Sequence, residues 1–333
     1  MNYSTPPMSE GGILVPEHFV PTPKTISPQA QAFLAHTPSV AVPELPKSRE
    51  DNEGWARFRE ASEQGILAIT GIYADQYPAK VVTHELSAST LYEVEPENLA
   101  PENEHRAIIY IHGGGWVTGG GQAAILSGMQ MAALSRTRVF SVDYRLVPEV
   151  AFPKPVEDSF EAYQFVLKRH AANAIGVFGA SAGANLAPAM VLSARDQGTP
   201  LPAAVALHSC PSEVTLSGDS LHTNFMVDIV LKRLTPGALE LGLYYANGHD
   251  PRDPILSPLY ADFSRGFPPT ILTSGTRDLL LSPTVLMHRA LLRAGITAEL
   301  HVWEAMTHAP FFNAPEEDQL YNEHVRFMLS HMA

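Results

Sequence analysis

The chain contains a single cysteine, Cys210, among 333 residues, so no disulfide can form within it. That economy fits a reducing compartment. Cys210 follows the apolar run Ala203-Ala204-Val205-Ala206-Leu207 and is expected to be a small buried hydrophobe rather than a nucleophile. Basic residues are also scarce: 22 Lys and Arg stand against 35 Asp and Glu, for a net charge of −13. An acidic surface of this kind argues against nucleic acid or anionic membrane as a partner. No unbroken apolar run approaches the ~20 residues that span a bilayer. The opening Met1-Asn2-Tyr3-Ser4-Thr5-Pro6-Pro7 has neither the basic start nor the apolar core of a secretory signal, and a cytoplasmic location is expected. The 14 histidines include no His-x-x-x-His helix pair with a carboxylate between, so no metal site is expected.

What remains is an ordinary globular composition, 45% hydrophobic and 17% charged, with no internal repeat or long low-complexity stretch. Prolines crowd the first fifty residues (6, 7, 16, 21, 23, 28, 38, 43 and 46), which excludes continuous helix or sheet there. A short helix is predicted from Pro28 behind Ser27. A longer one is predicted over residues 49–68 behind a capping-box-like Ser48-Arg49-Glu50-Asp51.

From residue 80 strands alternate with helices. Residues 81–86 and 90–94 read as an antiparallel pair. Strands are predicted at 107–111, 139–144, 174–178, 203–207, 270–273 and 298–303. Helices are predicted at 156–169, 182–194, 283–293 and 316–330. This order predicts an α/β class with a mostly parallel sheet covered on both faces. Residues 211–249 interrupt it with turn residues and helical fragments. They are expected to form a lid joined by the N-terminal segment 1–78, leaving 79–210 and 250–333 as the main domain.

Reactive groups in such sheets gather at the carboxyl ends of the strands. Gly179-Ala180-Ser181-Ala182-Gly183 lies at the end of one strand and the start of a helix, a tight turn that exposes a serine hydroxyl. His112-Gly113-Gly114-Gly115-Trp116 follows another strand. Its glycines let the backbone fold back, so that its N–H groups and that of Ala182 can bind a developing oxyanion. Among downstream acids, Asp278 follows closely on a buried strand. Of the later histidines, His308 stands in a loop between the last strand and last helix, from which an imidazole reaches the same edge. Ser181, Asp278 and His308 thus form a candidate nucleophile, acid and base. Leu221, Phe225, Met226, Ile229 and Leu239, with Trp116 near the site, are candidate apolar pocket residues.

These motifs, together with Asp143-Tyr144-Arg145-Leu146-Val147-Pro148-Glu149, Asp253-Pro254, Ser257-Pro258-Leu259 and Asp278-Leu279-Leu280, occur in an order that resembles the hormone-sensitive-lipase-like family of α/β-hydrolase esterases, over residues 80–330. The resemblance implies an α/β-hydrolase fold with an eight-stranded sheet and a helical cap built from the N-terminus and the insertion. It implies cofactor-free hydrolysis of carboxylic esters with small to medium acyl chains. It assigns the oxyanion donors to Gly114, Gly115 and Ala182. His112, Gly113, Tyr144, Arg145 and Glu149 become supports for the serine turn and the glycine loop. Ala180 stands where the family usually carries Asp or Thr. The expected partner is a small-molecule ester; oligomeric state stays open, a homodimer included. A lactone hydrolase with the same triad, and a non-catalytic small-molecule receptor on the same fold, are the alternative readings.

Overall fold

The structure is a computed structural model that describes residues 19–35, 45–231 and 237–333; the side chains of residues 237–239, Leu239 among them, lie outside that description. Eight strands form one sheet: β1 (Ala79–Glu85), β2 (Thr90–Pro96), β3 (Ala107–Ile111), β4 (Arg138–Asp143), β5 (Ile175–Ala180), β6 (Ala204–His208), β7 (Thr270–Gly275) and β8 (Ala298–Trp303). Their spatial order is β1-β2-β4-β3-β5-β6-β7-β8. β2 pairs antiparallel with both β1 and β4, and every pair from β4 to β8 is parallel.

Burial follows from composition. Every residue of β3 and of β6 is buried, because these continuous apolar runs are covered on both sides. One covering layer is α4 (Gln122–Ser135) and α10 (Pro315–His331), whose Leu126, Met129, Phe327 and Met328 pack with Ile108, Tyr110 and Phe178. The other holds α5 (Lys154–Leu167), α6 (Ala182–Asp196) and α9 (Leu281–Arg293), whose Tyr163, Leu186 and Met287 pack with Ile109, Val177 and Leu207. α6 runs across the middle of that layer and buries 12 of its residues. Its Pro188 has no N–H for the carbonyl four residues earlier. That freed oxygen, on Ala184, accepts from the Cys210 thiol at 3.1 Å. Cys210 is therefore a buried structural group, its thiol pushed up by desolvation.

The N-terminal region contributes α1 (Pro28–Ala35), α2 (Asn52–Thr70) and the short α3 (Tyr73–Gln76). α2 begins later than the sequence pattern predicts. Asp51, not Ser48, caps it by accepting from Gly54 N at 2.9 Å, while the Ser48 carbonyl takes the Trp55 indole at 3.1 Å. The interruption after β6 holds the short α7 (Ser220–Thr223) and α8 (Gly237–Ala246), and irregular turns then lead to β7 at Thr270. Among the described residues no helix is long and apolar enough to cross a membrane.

The order β4-β3-β5 is a topological switch: the chain leaves β3 in one direction and enters β5 on the other side. In open sheets of this kind ligands bind at the carboxyl ends of the strands flanking such a point. α6 starts so close beneath it that a Cβ on Gly183 would lie 1.9 Å from the Ile111 carbonyl oxygen and 2.7 Å from that of His112. Gly183→Ala is expected to lower stability by roughly 1–3 kcal/mol or more through overpacking. Gly65→Ala, on α2 with nothing within 4 Å, is expected to raise it by about 0.4–1 kcal/mol. Thermal unfolding of the two variants checks both signs.

Candidate active site

β5 hands the chain directly to α6, and Ser181 is the N-cap between them, in a left-handed conformation with φ 53 and ψ −121. Its N–H donates to the His208 carbonyl at 2.9 Å, which ties the turn to the end of the neighbouring β6. Gly179 is obligatory here, since its Cβ would meet the Gly183 carbonyl oxygen at 2.3 Å. The Ser181 Oγ lies 2.9 Å from His308 Nε2.

His308 comes from the loop after β8, and Asp278 from the turn after β7. Asp278 is fully buried, and its Oδ1 lies 3.4 Å from His308 Nδ1. Oδ2 accepts from the hydroxyls of Ser209 and Ser274, each at 2.6 Å, and Oδ1 from Leu280 N at 2.8 Å. Burial would raise the Asp278 pKa, but His308 and the two hydroxyls outweigh it and hold it below the ordinary value. Burial likewise pulls the His308 imidazole down, yet Asp278, with Asp228 behind it, raises it above the ordinary histidine value. The three residues selected from sequence are thus brought within reach of one another at the carboxyl edge.

Two further groups escape the sequence reading. The Ser209 hydroxyl, just past the end of β6, lies 2.6 Å from His308 Nδ1 as well as touching Asp278. Asp228, in the insertion, is fully buried. It accepts from Leu279 N at 2.9 Å and from Val230 N and Leu231 N, both at 3.0 Å. Burial and the charge of Asp278 push its carboxyl up to about 6. Inspecting the residue after every strand, rather than only after glycine-marked ones, finds Ser209. No local pattern marks Asp228.

The glycine loop lies against the serine turn: a Cβ on Gly113 would be 3.1 Å from the Ser181 Cβ. Gly114 and Gly115 both have positive φ, 107 and 61. His112 is buried, with its Nδ1 2.7 Å from the Gly113 carbonyl. It stacks on Tyr144 at 4.2 Å, whose hydroxyl donates to the His112 carbonyl at 3.0 Å. Arg145 instead reaches away to the buried Asp158 of α5, in a bidentate pair with contacts of 2.6 to 3.1 Å. Glu149 pairs with Arg59 of α2, and Arg59 also takes the Val117 carbonyl at 2.9 Å. Trp116 is buried and stacked on Tyr245 of α8 at 4.7 Å. Phe225 packs with Leu221 against Leu231, Leu279 and Leu280, beside the Asp278 turn. Met226 is 67% exposed, facing solvent.

His208 and His324, away from the triad, are core groups. Thr273 Oγ1 lies 2.9 Å from both His208 Nδ1 and His324 Nε2. Burial lowers both, His208 to about 4. Among the described residues, Glu299, His301 and Glu323 have a spacing that could hold a metal ion, but Arg326 already bonds both carboxylates, at 2.6 and 2.8 Å.

Residues 108–312 match the family described as alpha/beta hydrolase fold. An acetyl-hydrolase of Streptomyces hygroscopicus is 32% identical over 204 residues, 61% of this chain and 67% of the relative. The chain belongs to this α/β-hydrolase family. Among solved structures, esterase E25 superposes with a TM-score of 0.89 at 32% identity, over 97% of this chain and 100% of the other. An esterase of the bacterial hormone-sensitive lipase family gives 0.77 at 27%, over 92% and 99%. The protein is accordingly an enzyme of the hydrolase class.

Buried neutral His208 makes this esterase-family protein acid-sensitive. Its folded pKa, about 4, lies below the unfolded value of ~6.5. Its stabilising contribution is therefore full above ~6.5 and is lost as pH falls towards 4. Asp228, whose folded pKa is raised, works in the opposite sense, so the readout is a difference. His208→Asn does not titrate, and its destabilisation relative to wild type is expected to be larger at pH 7.5 than at pH 5 in urea unfolding. Equal differences at both pH values contradict this.

Proposed function

We propose that the protein is a serine carboxylester hydrolase acting on small to medium hydrophobic esters through an acyl-enzyme, with Ser181 as nucleophile, His308 as base and Asp278 as its orienting acid. The observation that carries the proposal is the 2.9 Å contact between Ser181 Oγ and an imidazole backed by a fully buried carboxylate. A serine hydroxyl alone is a weak nucleophile. A base within hydrogen-bonding reach lets it attack.

In the first step His308 Nε2 takes the Ser181 proton as Oγ attacks the ester carbonyl. Asp278 stabilises the imidazolium that forms. The carbonyl oxygen becomes anionic beside the glycine loop, where the N–H groups of Gly114, Gly115 and Ala182 are assigned as donors. In support, no acceptor among the described residues takes those three N–H groups, and Ala182 opens α6, so its helix end adds favourable partial charge. Collapse of the intermediate returns the proton from His308 to the leaving alkoxide, leaving the acyl group on Ser181. Water, deprotonated by His308, then attacks the acyl carbon, and the carboxylic acid leaves as Ser181 recovers its proton.

We assign the cap to the N-terminal region together with the insertion. α8 sits on the glycine loop: a Cβ on Gly115 would be 2.8 Å from Leu241 Cδ1. α2 is fastened to α8 by Trp55 edge-on to Tyr244 at 5.4 Å, and Arg49, just ahead of α2, donates to the Tyr244 carbonyl at 3.0 Å. Phe225, beside the Asp278 turn, supplies apolar surface for the ester, and Trp116 backs the glycine loop by stacking on Tyr245. A relative named acetyl-hydrolase supports a short acyl group.

Ser181→Ala is expected to lower kcat on a p-nitrophenyl ester by several orders of magnitude with the fold intact; near-normal turnover contradicts the assignment. The reaction needs neutral His308, whose pKa is raised above 6.5. kcat/KM is therefore expected to fall as pH drops, with a midpoint above 6.5. A midpoint near 5 contradicts that role.

A further inference from the structure

The Ser209 hydroxyl lies between the imidazole and the carboxylate, and the steps above do not use it. β6 ends at His208, and Ser209 turns the chain in a left-handed conformation, φ 50. Its N–H donates to the Thr273 carbonyl at 2.8 Å, which fixes it against β7. It is fully buried. Its Oγ is 2.6 Å from Asp278 Oδ2 and 2.6 Å from His308 Nδ1. The direct Nδ1 to Oδ1 separation is 3.4 Å, outside the usual range of about 2.7–3.2 Å for an N–H···O bond.

Hydrogen-bond stoichiometry then places each proton. An ionised carboxylate only accepts, and a hydroxyl has one proton to give. Ser209 must therefore donate to Asp278. Towards His308 it offers only a lone pair, so Nδ1 must carry the imidazole proton. Nε2 is then bare, the form that accepts from Ser181 across 2.9 Å. A single hydroxyl with one proton thus dictates the tautomer of a ring that has two.

We infer that Ser209 is a positioning residue that selects the His308 tautomer and connects the imidazole to Asp278 through its hydroxyl. The inference rests on the triad proposed above. As the imidazolium forms, the Nδ1–H···Oγ bond becomes charge-assisted, and the Oγ–H···Oδ2 bond already is. Neither Oγ bond reaches the substrate, so the role belongs to turnover and not to substrate binding.

The experiment is a mutant cycle read by steady-state kinetics on a p-nitrophenyl ester. Ser209→Ala removes the hydroxyl. Ser209→Gly removes it too and suits the left-handed backbone, so it carries the test if the alanine variant does not fold. Each is expected to lower kcat by about 10–100-fold, the size of a lost hydrogen bond to a charged group, with KM changed less than about twofold. In an Asp278→Asn background, where the tautomer is already lost, the same substitutions are expected to change kcat by less than about threefold, a non-additivity that contact through a shared unit produces. Wild-type kcat in the folded Ser209 variants, or an equal loss in both backgrounds, overturns the inference while leaving the triad standing. Undiminished kcat in Asp278→Asn alone overturns the triad and the inference together.

Discussion

The site depends on a backbone turned the wrong way for most residues. Ser181 occupies the left-handed region, a strain of about 1–3 kcal/mol that persists only where the surroundings over-determine it. Here they do. Gly179 and Gly183 let β5, α6 and the end of β3 approach to distances that no side chain would allow. The Ser181 N–H is held by β6. Because the turn is packed from three sides, its hydroxyl keeps one direction, and everything else at the edge of the sheet is arranged around that direction.

The electrostatics have the same logic. A fully buried carboxylate is costly unless its oxygens are hydrogen-bonded, and Asp278 meets that condition with two hydroxyls and a backbone N–H, with the His308 imidazole 3.4 Å away. Each partner comes from a different segment: β7 itself, the end of β6, the start of α9 and the loop after β8. The insertion is stitched to the same turn. Asn224 donates to the Thr276 and Asp278 carbonyls at 3.1 and 2.8 Å, Ser220 Oγ donates to the Leu279 carbonyl at 2.7 Å, and Asp228 accepts from Leu279 N. The segment assigned to the cap is thus continuous with the scaffold that holds the acid.

Much of the fold was legible in sequence because its signals are local. Buried strands such as Ala107–Ile111 read as short apolar runs, and the alternation of strands with helices fixed the parallel sheet. β8 matches its predicted bounds, while the start of α2 moved because Asp51 outcompeted Ser48 as a cap. Within the candidate site, Ser181 and the glycine loop carry local marks, since tight turns demand glycine. Asp278 and His308 could be singled out by their position after strands. Ser209 and Asp228 could not be weighed that way: a serine or an aspartate in a loop has no signature until distant chain segments bury it beside a charge. Arg145 belongs to the same lesson. Its sequence neighbours place it near the site, but its fork fits the buried Asp158 of α5 and points away.

The central claim is that His308 is the base that makes Ser181 reactive. Treatment with a fluorophosphonate, followed by peptide mass spectrometry of wild type and of His308→Ala, tests it most directly. The account predicts one adduct, on Ser181, formed rapidly in wild type and slowed by orders of magnitude in the folded variant. An adduct on another residue, or labelling of Ser181 at the same rate without the imidazole, contradicts it.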